Sequence, residues 1–272
     1  MSLADRTGIA TARRVVVKVG SSSISGENAH RIQPLVEALA AAHGRGVEIV
    51  LVSSGAIATG MPFLKLDERP NDLATQQAAA AVGQNVLIYR YQAALREFQI
   101  VAGQVLLTAG DLENPTHRSN ARRAMDRLLG LRILPIVNEN DTVATHEIRF
   151  GDNDRLAALV AQLIGADALV LLSDIESLYT CPPDQPGARP IREVAYGESL
   201  DDFEFGSTVV NSVGTGGAAT KVSAARLAAS AGVGVLVTSA DRVAEALEGA
   251  DIGTWFAANP APTAAIPVAS VN

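Results

Sequence analysis

The chain has a single cysteine, Cys181, among its 272 residues. This excludes an intrachain disulfide framework and a cluster of thiolate metal ligands. Histidine is almost as scarce. His30, His43, His117 and His146 are scattered, with no pair spaced to share one helix face, so no metal site is expected from them. No apolar stretch reaches membrane-spanning length without a charge. Residues 1–14 carry Arg6, Arg13 and Arg14 but no apolar segment of the secretory-signal kind. The expected compartment is the cytoplasm. Positive charge is also in short supply: the net charge is −7, which does not suit general nucleic-acid or membrane-surface binding.

What is present is core-forming material. Hydrophobic residues make up 48% and charged residues 19%, the balance of a folded chain rather than a disordered one. The length allows one large domain or two small ones. The runs at 15–19 and 47–52 are short and almost continuously apolar, as in buried strands. Residues 100–107, 132–137, 168–172 and 233–237 read as further strands, the last being the final clear one. Helical spacing covers 32–43, 72–98 (with Gly83 as a candidate interruption), 120–129, 156–164 and 218–231. Strands alternating with helices predict an α/β fold: a three-layer αβα sandwich around a mainly parallel open sheet with right-handed crossovers.

The ends of these strands carry polar, glycine-containing turns. Lys18-Val-Gly20-Ser-Ser follows the first strand and Ser53-Ser54-Gly55 the second. The stretch 138–154, N-E-N-D-T-V-A-T-H-E-I-R-F-G-D-N-D, follows the fourth, and Ser173-Asp174 the fifth. In open α/β sheets ligands sit at the carboxyl ends of strands, although Asn and Asp are also ordinary turn residues. Gly214-Thr-Gly-Gly-Ala-Ala-Thr-Lys221 opens a helix, and exposed N–H groups there favour phosphate. A flexible loop is the competing reading of those glycines. Lys18 lies inside V-V-V-K-V, where a lysine is either solvent-facing or buried and paired. Neither the Walker A pattern nor the G-x-G-x-x-G dinucleotide fingerprint fits. Two lysines at glycine turns, with aspartates at neighbouring strand ends, suit phosphoryl transfer better than acid–base chemistry, because that transfer needs positioning and charge neutralisation.

Taken together, the motifs resemble the amino-acid kinase family. The matching pieces are V-V-K-V-G-S-S (16–22), V-S-S-G-A-I-A (52–58), G-Q-V-L-L-T (103–108), I-V-N-E-N-D-T-V-A-T (136–145), F-G-D-N-D-R-L (150–156), L-L-S-D (171–174) and G-T-G-G-A-A-T-K (214–221). N-E-N-D-T-V-A-T followed by G-D-N-D points to the branch that phosphorylates the side-chain carboxylate of L-glutamate with ATP, the first step of proline biosynthesis. The resemblance implies catalytic roles for Lys18 and Lys221 beside the transferring phosphoryl group, with Asp154 holding their ammonium groups. It implies glutamate binding by Ser54, Asp141 and Asn153, with Asn138 and Asp152 close by. It implies an ATP site formed by Lys18, Gly20, Ser173, Asp174, Thr215, Gly216, Gly217, Ala218, Ala219, Thr220 and Lys221. Mg²⁺ is expected to arrive on the ATP phosphates, proline to act as feedback inhibitor, and the chain to form a dimer or tetramer, with the helix at 72–98 as a candidate interface.

By the same resemblance the kinase domain covers 15–257, after an N-terminal segment at 1–14. A loose tail at 258–272 stands where many relatives carry a PUA domain. Ser177 occupies a position where the family pattern has Gly, and Ala218 one where Met is usual. The physics of the residues agrees with glutamate as acceptor: its carboxylate is ionised at neutral pH and needs no general base. Asp141 suits the substrate ammonium, and Ser54 and Asn153 are expected to read its carboxylates.

Overall fold

A computed structural model describes residues 3–144, 153–200 and 217–262. Among these, eight strands form one sheet: β1 (Arg14–Lys18), β2 (Glu48–Val52), β3 (Ala102–Leu107), β4 (Leu134–Glu139), β5 (Ala168–Ser173), β6 (Glu193–Val194), β7 (Gly234–Ser239) and β8 (Thr254–Phe256). The strand order is β3-β4-β2-β1-β5-β7-β8-β6. Neighbours from β3 to β7 are parallel, and β8 pairs antiparallel with β7. The helices are α1 (Ile32–Gly44), α2 (Ala56–Gly60), α3 (Leu73–Arg96), α4 (Ala109–Glu113), α5 (Pro115–Gly130), α6 (Asn153–Ile164), α7 (Ala218–Ser230) and α8 (Val243–Leu247).

The alternation of side chains along β1 explains the layering. All five of its residues are buried. Val15 and Val17 enter a core shared with α1, α3 and α8. Val16 enters a second core shared with α5, α6 and α7. Lys18 follows the period of two and belongs to the Val16 side. Each fully buried valine contributes about 1.5–3 kcal/mol, so the strand is fixed well enough to carry a buried lysine at its end. The result is the expected αβα sandwich with a mainly parallel sheet.

Several local expectations shift. Gly83 does not interrupt α3. A Cβ at Gly83 would lie 1.8 Å from the Ala56 carbonyl oxygen, and one at Gly60 would lie 1.9 Å from the Ala79 carbonyl oxygen, so the two glycines let α2 and α3 touch backbone to backbone. The fifth helix starts earlier than its apolar spacing suggests, because Asn114 Oδ1 accepts from the N–H groups of Thr116 and His117 and Pro115 follows. The fourth strand starts later, because Arg132 adopts φ +59°. Beyond β7, the sheet gains β8, with Trp255 fully buried. At the N-terminal end Ile9 is in the core and Arg6 donates to the Ile252 carbonyl at 2.7 Å. Near the other end the Asn259 N–H donates to the Ala229 carbonyl at 2.8 Å. Residues 263–272, most of the expected tail, lie outside the described residues.

The connectivity locates the site. The chain leaves β1 for β2 on one side, then returns after β4 to place β5 on the other side of β1. The carboxyl ends of β1 and β5 therefore flank the crevice where an open sheet receives ligands.

Candidate active site

Lys18 closes β1, Asp154 is the second residue of α6, and Lys221 lies in the first turn of α7. Lys18 Nζ stands 2.6 Å from Asp154 Oδ1, and Lys221 Nζ 3.1 Å from Oδ2. The Thr220 hydroxyl is 3.4 Å from the same Oδ2. All three charged side chains are buried. A buried lysine needs a partner, and Asp154 supplies one to both. Two ammonium groups here share one carboxylate, and ammonium groups suit an incoming anion.

The neighbouring turns are shaped around this cluster. A Cβ at Gly20 would sit 3.8 Å from Lys18 Nζ, so glycine leaves that approach to the ammonium open. The Ser22 and Ser23 hydroxyls donate to Asp174 at 2.9 and 3.3 Å, which ties the turn after β1 to the end of β5. Gly55 has φ +89°, with Ser21 Cα 3.4 Å from where its Cβ would be. Only a residue free to enter the left-handed region turns the chain there from β2 into α2. Gly217, Ala218, Ala219 and Thr220 form the start of α7, where the Thr220 hydroxyl donates to the Gly217 carbonyl at 2.8 Å.

A second cluster is made of amides. Asn153 Nδ2 donates to the Ser53 carbonyl at 2.6 Å and to Asn138 Oδ1 at 2.7 Å. Asn138 Oδ1 also accepts from the Glu139 N–H at 2.9 Å, and Asn138 Nδ2 donates to Gln84 Oε1 at 2.6 Å. These bonds change the reading of Asn153. Both of its amide hydrogens are engaged, so its side chain has only Oδ1 left to offer and cannot donate to a carboxylate. The Ser53 hydroxyl lies 3.0 Å from the Tyr91 hydroxyl. Burial pushes the Tyr91 phenol well above its ordinary pKa, outweighing its hydrogen bond with Ser53.

Other expected site residues fall nearby or outside the described chain. Ser54 is half-buried just after β2 and Asp141 half-buried in the turn after β4. Ser173 ends β5. Asp152, Thr215 and Gly216 lie outside the described residues. So do residues 145–151; just before them, Val143 is 61% exposed. Ser177 is buried and is not among the positive-φ residues, so its backbone has no need of glycine. Gln84 and Tyr91 are not singled out by the motifs. Their one signal is spacing: Gln77, Gln84 and Tyr91 recur every seven residues, and Gln77 Nε2 donates to the Ala144 carbonyl at 3.2 Å. Among the described residues no group of three His, Cys, Asp or Glu side chains is placed to hold a metal.

A family model described as the amino acid kinase family matches residues 13–239. The chain belongs to this family. It is 73% identical over 257 residues to "Glutamate 5-kinase" of Clavibacter sepedonicus, a match covering 94% of this chain and 99% of that protein. It is 69% identical to "Glutamate 5-kinase" of Leifsonia xyli subsp. xyli, covering 94% and 95% of the two chains. Among solved structures, "Carbamate kinase from Giardia lamblia bound to AMP-PNP" superposes with a TM-score of 0.66 over 92% of this chain and all of that one, at 17% identity. That last likeness concerns the fold alone.

Proposed function

We propose that this chain transfers the γ-phosphoryl group of ATP to the side-chain carboxylate of L-glutamate, giving L-glutamyl 5-phosphate and ADP, the first step of proline biosynthesis. The observation that carries the chemistry is the pair of buried lysines on opposite oxygens of Asp154. The choice of glutamate rests on the names of the 73% and 69% identical relatives. A carboxylate oxygen attacks the γ-phosphorus, the bond to the β–γ bridging oxygen breaks, and ADP leaves with that electron pair. No proton is transferred, since the acceptor is already ionised. The difficulty is bringing an anion onto a polyanion, and Lys18 and Lys221 offset it by stabilising the charge that develops during transfer.

Within this reading Ser54, Asp141 and Asn153 contact glutamate, while Asp174 and the start of α7 line the ATP site. Mg²⁺ enters on the ATP phosphates and water. Proline inhibition, a homo-oligomeric state and a cytoplasmic location belong to the same proposal; among the described residues no helix is long and apolar enough to cross a membrane. Hydroxylamine trapping with glutamate, ATP and Mg²⁺ tests the product directly. Glutamyl hydroxamate is the expected product. ADP release with N-acetylglutamate, aspartate or carbamate but not with glutamate would overturn the proposal.

A further inference from the structure

We infer that Gln84, in the middle of α3, is a positioning residue that holds Asn138 in place and through it anchors Asn153, whose remaining acceptor oxygen reads the ammonium group of the bound amino acid. This rests on the glutamate reading of the site given above.

The argument starts from two groups whose polarity cannot change. The Glu139 N–H is a donor, and it lies 2.9 Å from one amide atom of Asn138. That atom is therefore the oxygen. The Ser53 carbonyl is an acceptor, and it lies 2.6 Å from one amide atom of Asn153. That atom is therefore the nitrogen, which agrees with its 2.7 Å bond to Asn138 Oδ1. The remaining atom of Asn138 is its nitrogen, which requires an acceptor. Asn138 is 2% exposed, so bulk water does not supply one; Gln84 Oε1 does, at 2.6 Å. Every amide orientation along Gln84, Asn138 and Asn153 thus follows from the backbone. Reversing any one of them would set donor against donor or acceptor against acceptor.

The consequence is chemical. Asn153 has spent both amide hydrogens and has Oδ1 left, which suits an ammonium group and not a carboxylate. Without an acceptor at position 84, Asn138 keeps a buried donor with no partner from α3. It then shifts to find one, and Asn153 loses the oxygen that anchors it. Leaving a buried donor unsatisfied is costly, so the strain falls on the substrate contact two bonds along the relay.

Steady-state kinetics of Gln84→Met and Gln84→Glu test this. The methionine has similar size and no acceptor oxygen; the glutamate restores the oxygen and lacks the amide nitrogen. Gln84→Met should raise the KM for glutamate about tenfold or more and leave the KM for ATP near the wild-type value. Gln84→Glu should recover most of the glutamate KM. The Ki of glutarate, which has both carboxylates and no amino group, should be the same in wild type and Gln84→Met. An unchanged glutamate KM in Gln84→Met, a parallel rise in KM for ATP or in Ki for glutarate, or a Gln84→Glu enzyme as impaired as Gln84→Met would overturn the inference. Wild-type protein inactive on glutamate would instead overturn the proposed function, so the two failures are distinguishable.

Discussion

Lys18 Nζ lies 2.6 Å from Asp154 Oδ1, with the two side chains 3% and 1% exposed. Lys221 takes the other oxygen of the same carboxylate. The geometry is that of one buried anion holding two cations at a fixed separation. Such a cluster is costly to assemble and costlier to break, because removing the shared partner leaves charge buried and unpaired.

Asp154→Leu is therefore expected to lower stability by about 3–5 kcal/mol as well as abolish turnover. Replacing the whole cluster, Lys18→Met with Asp154→Leu and Lys221→Met, should recover much of that stability and none of the activity. Thermal or urea unfolding of both variants checks this. A triple variant no more stable than Asp154→Leu alone would contradict the charge-pairing account.

The α2–α3 crossing gives a test of packing against propensity. Alanine is favoured over glycine in a helix interior by about 1 kcal/mol, so on propensity alone Gly83→Ala would stabilise α3. Its Cβ would meet the Ala56 carbonyl oxygen at 1.8 Å, which forces the helices apart. Gly83→Ala should melt below wild type, and a higher melting temperature would show that the crossing yields freely.

Much of this arrangement is legible in the sequence, for identifiable reasons. Lys18 is conspicuous because it sits in an apolar strand, and Lys221 because it follows a run of small residues and glycines. Gln84 is not conspicuous: polar residues are common in long helices, and its role depends on a strand-end asparagine 54 residues further along the chain. β8 is three residues long, too short to show a period. Val143 is apolar yet exposed, because apolar identity alone does not say which side of a turn faces solvent. The hydrogen-bond direction at Asn153 is invisible to any motif, since it is set by backbone groups from two other elements.

His43 offers a pH-dependent check on the opposite end of the sheet. Burial and the nearby Arg132 guanidinium lower its pKa below 6.5, against a smaller opposing effect of the Arg132 carbonyl. The carbonyl lies 3.2 Å from His43 Nε2. A histidine with a depressed folded pKa favours the neutral form. Its contribution to stability is complete above the unfolded value, near 6.5, and is lost as pH falls from there through the folded pKa. An NMR titration should place the His43 midpoint below 6.5, and Arg132→Gln should raise it. A midpoint at or above 6.5 would contradict the assignment.

The most direct test of phosphoryl transfer at this site is the kinetics of Lys221→Ala. If the ammonium group stabilises charge that develops only during transfer, kcat should fall by about 10²–10³, while the KM for glutamate stays near the wild-type value. Equal losses in kcat and glutamate affinity, or no loss in either, would contradict the role of the two lysines on Asp154.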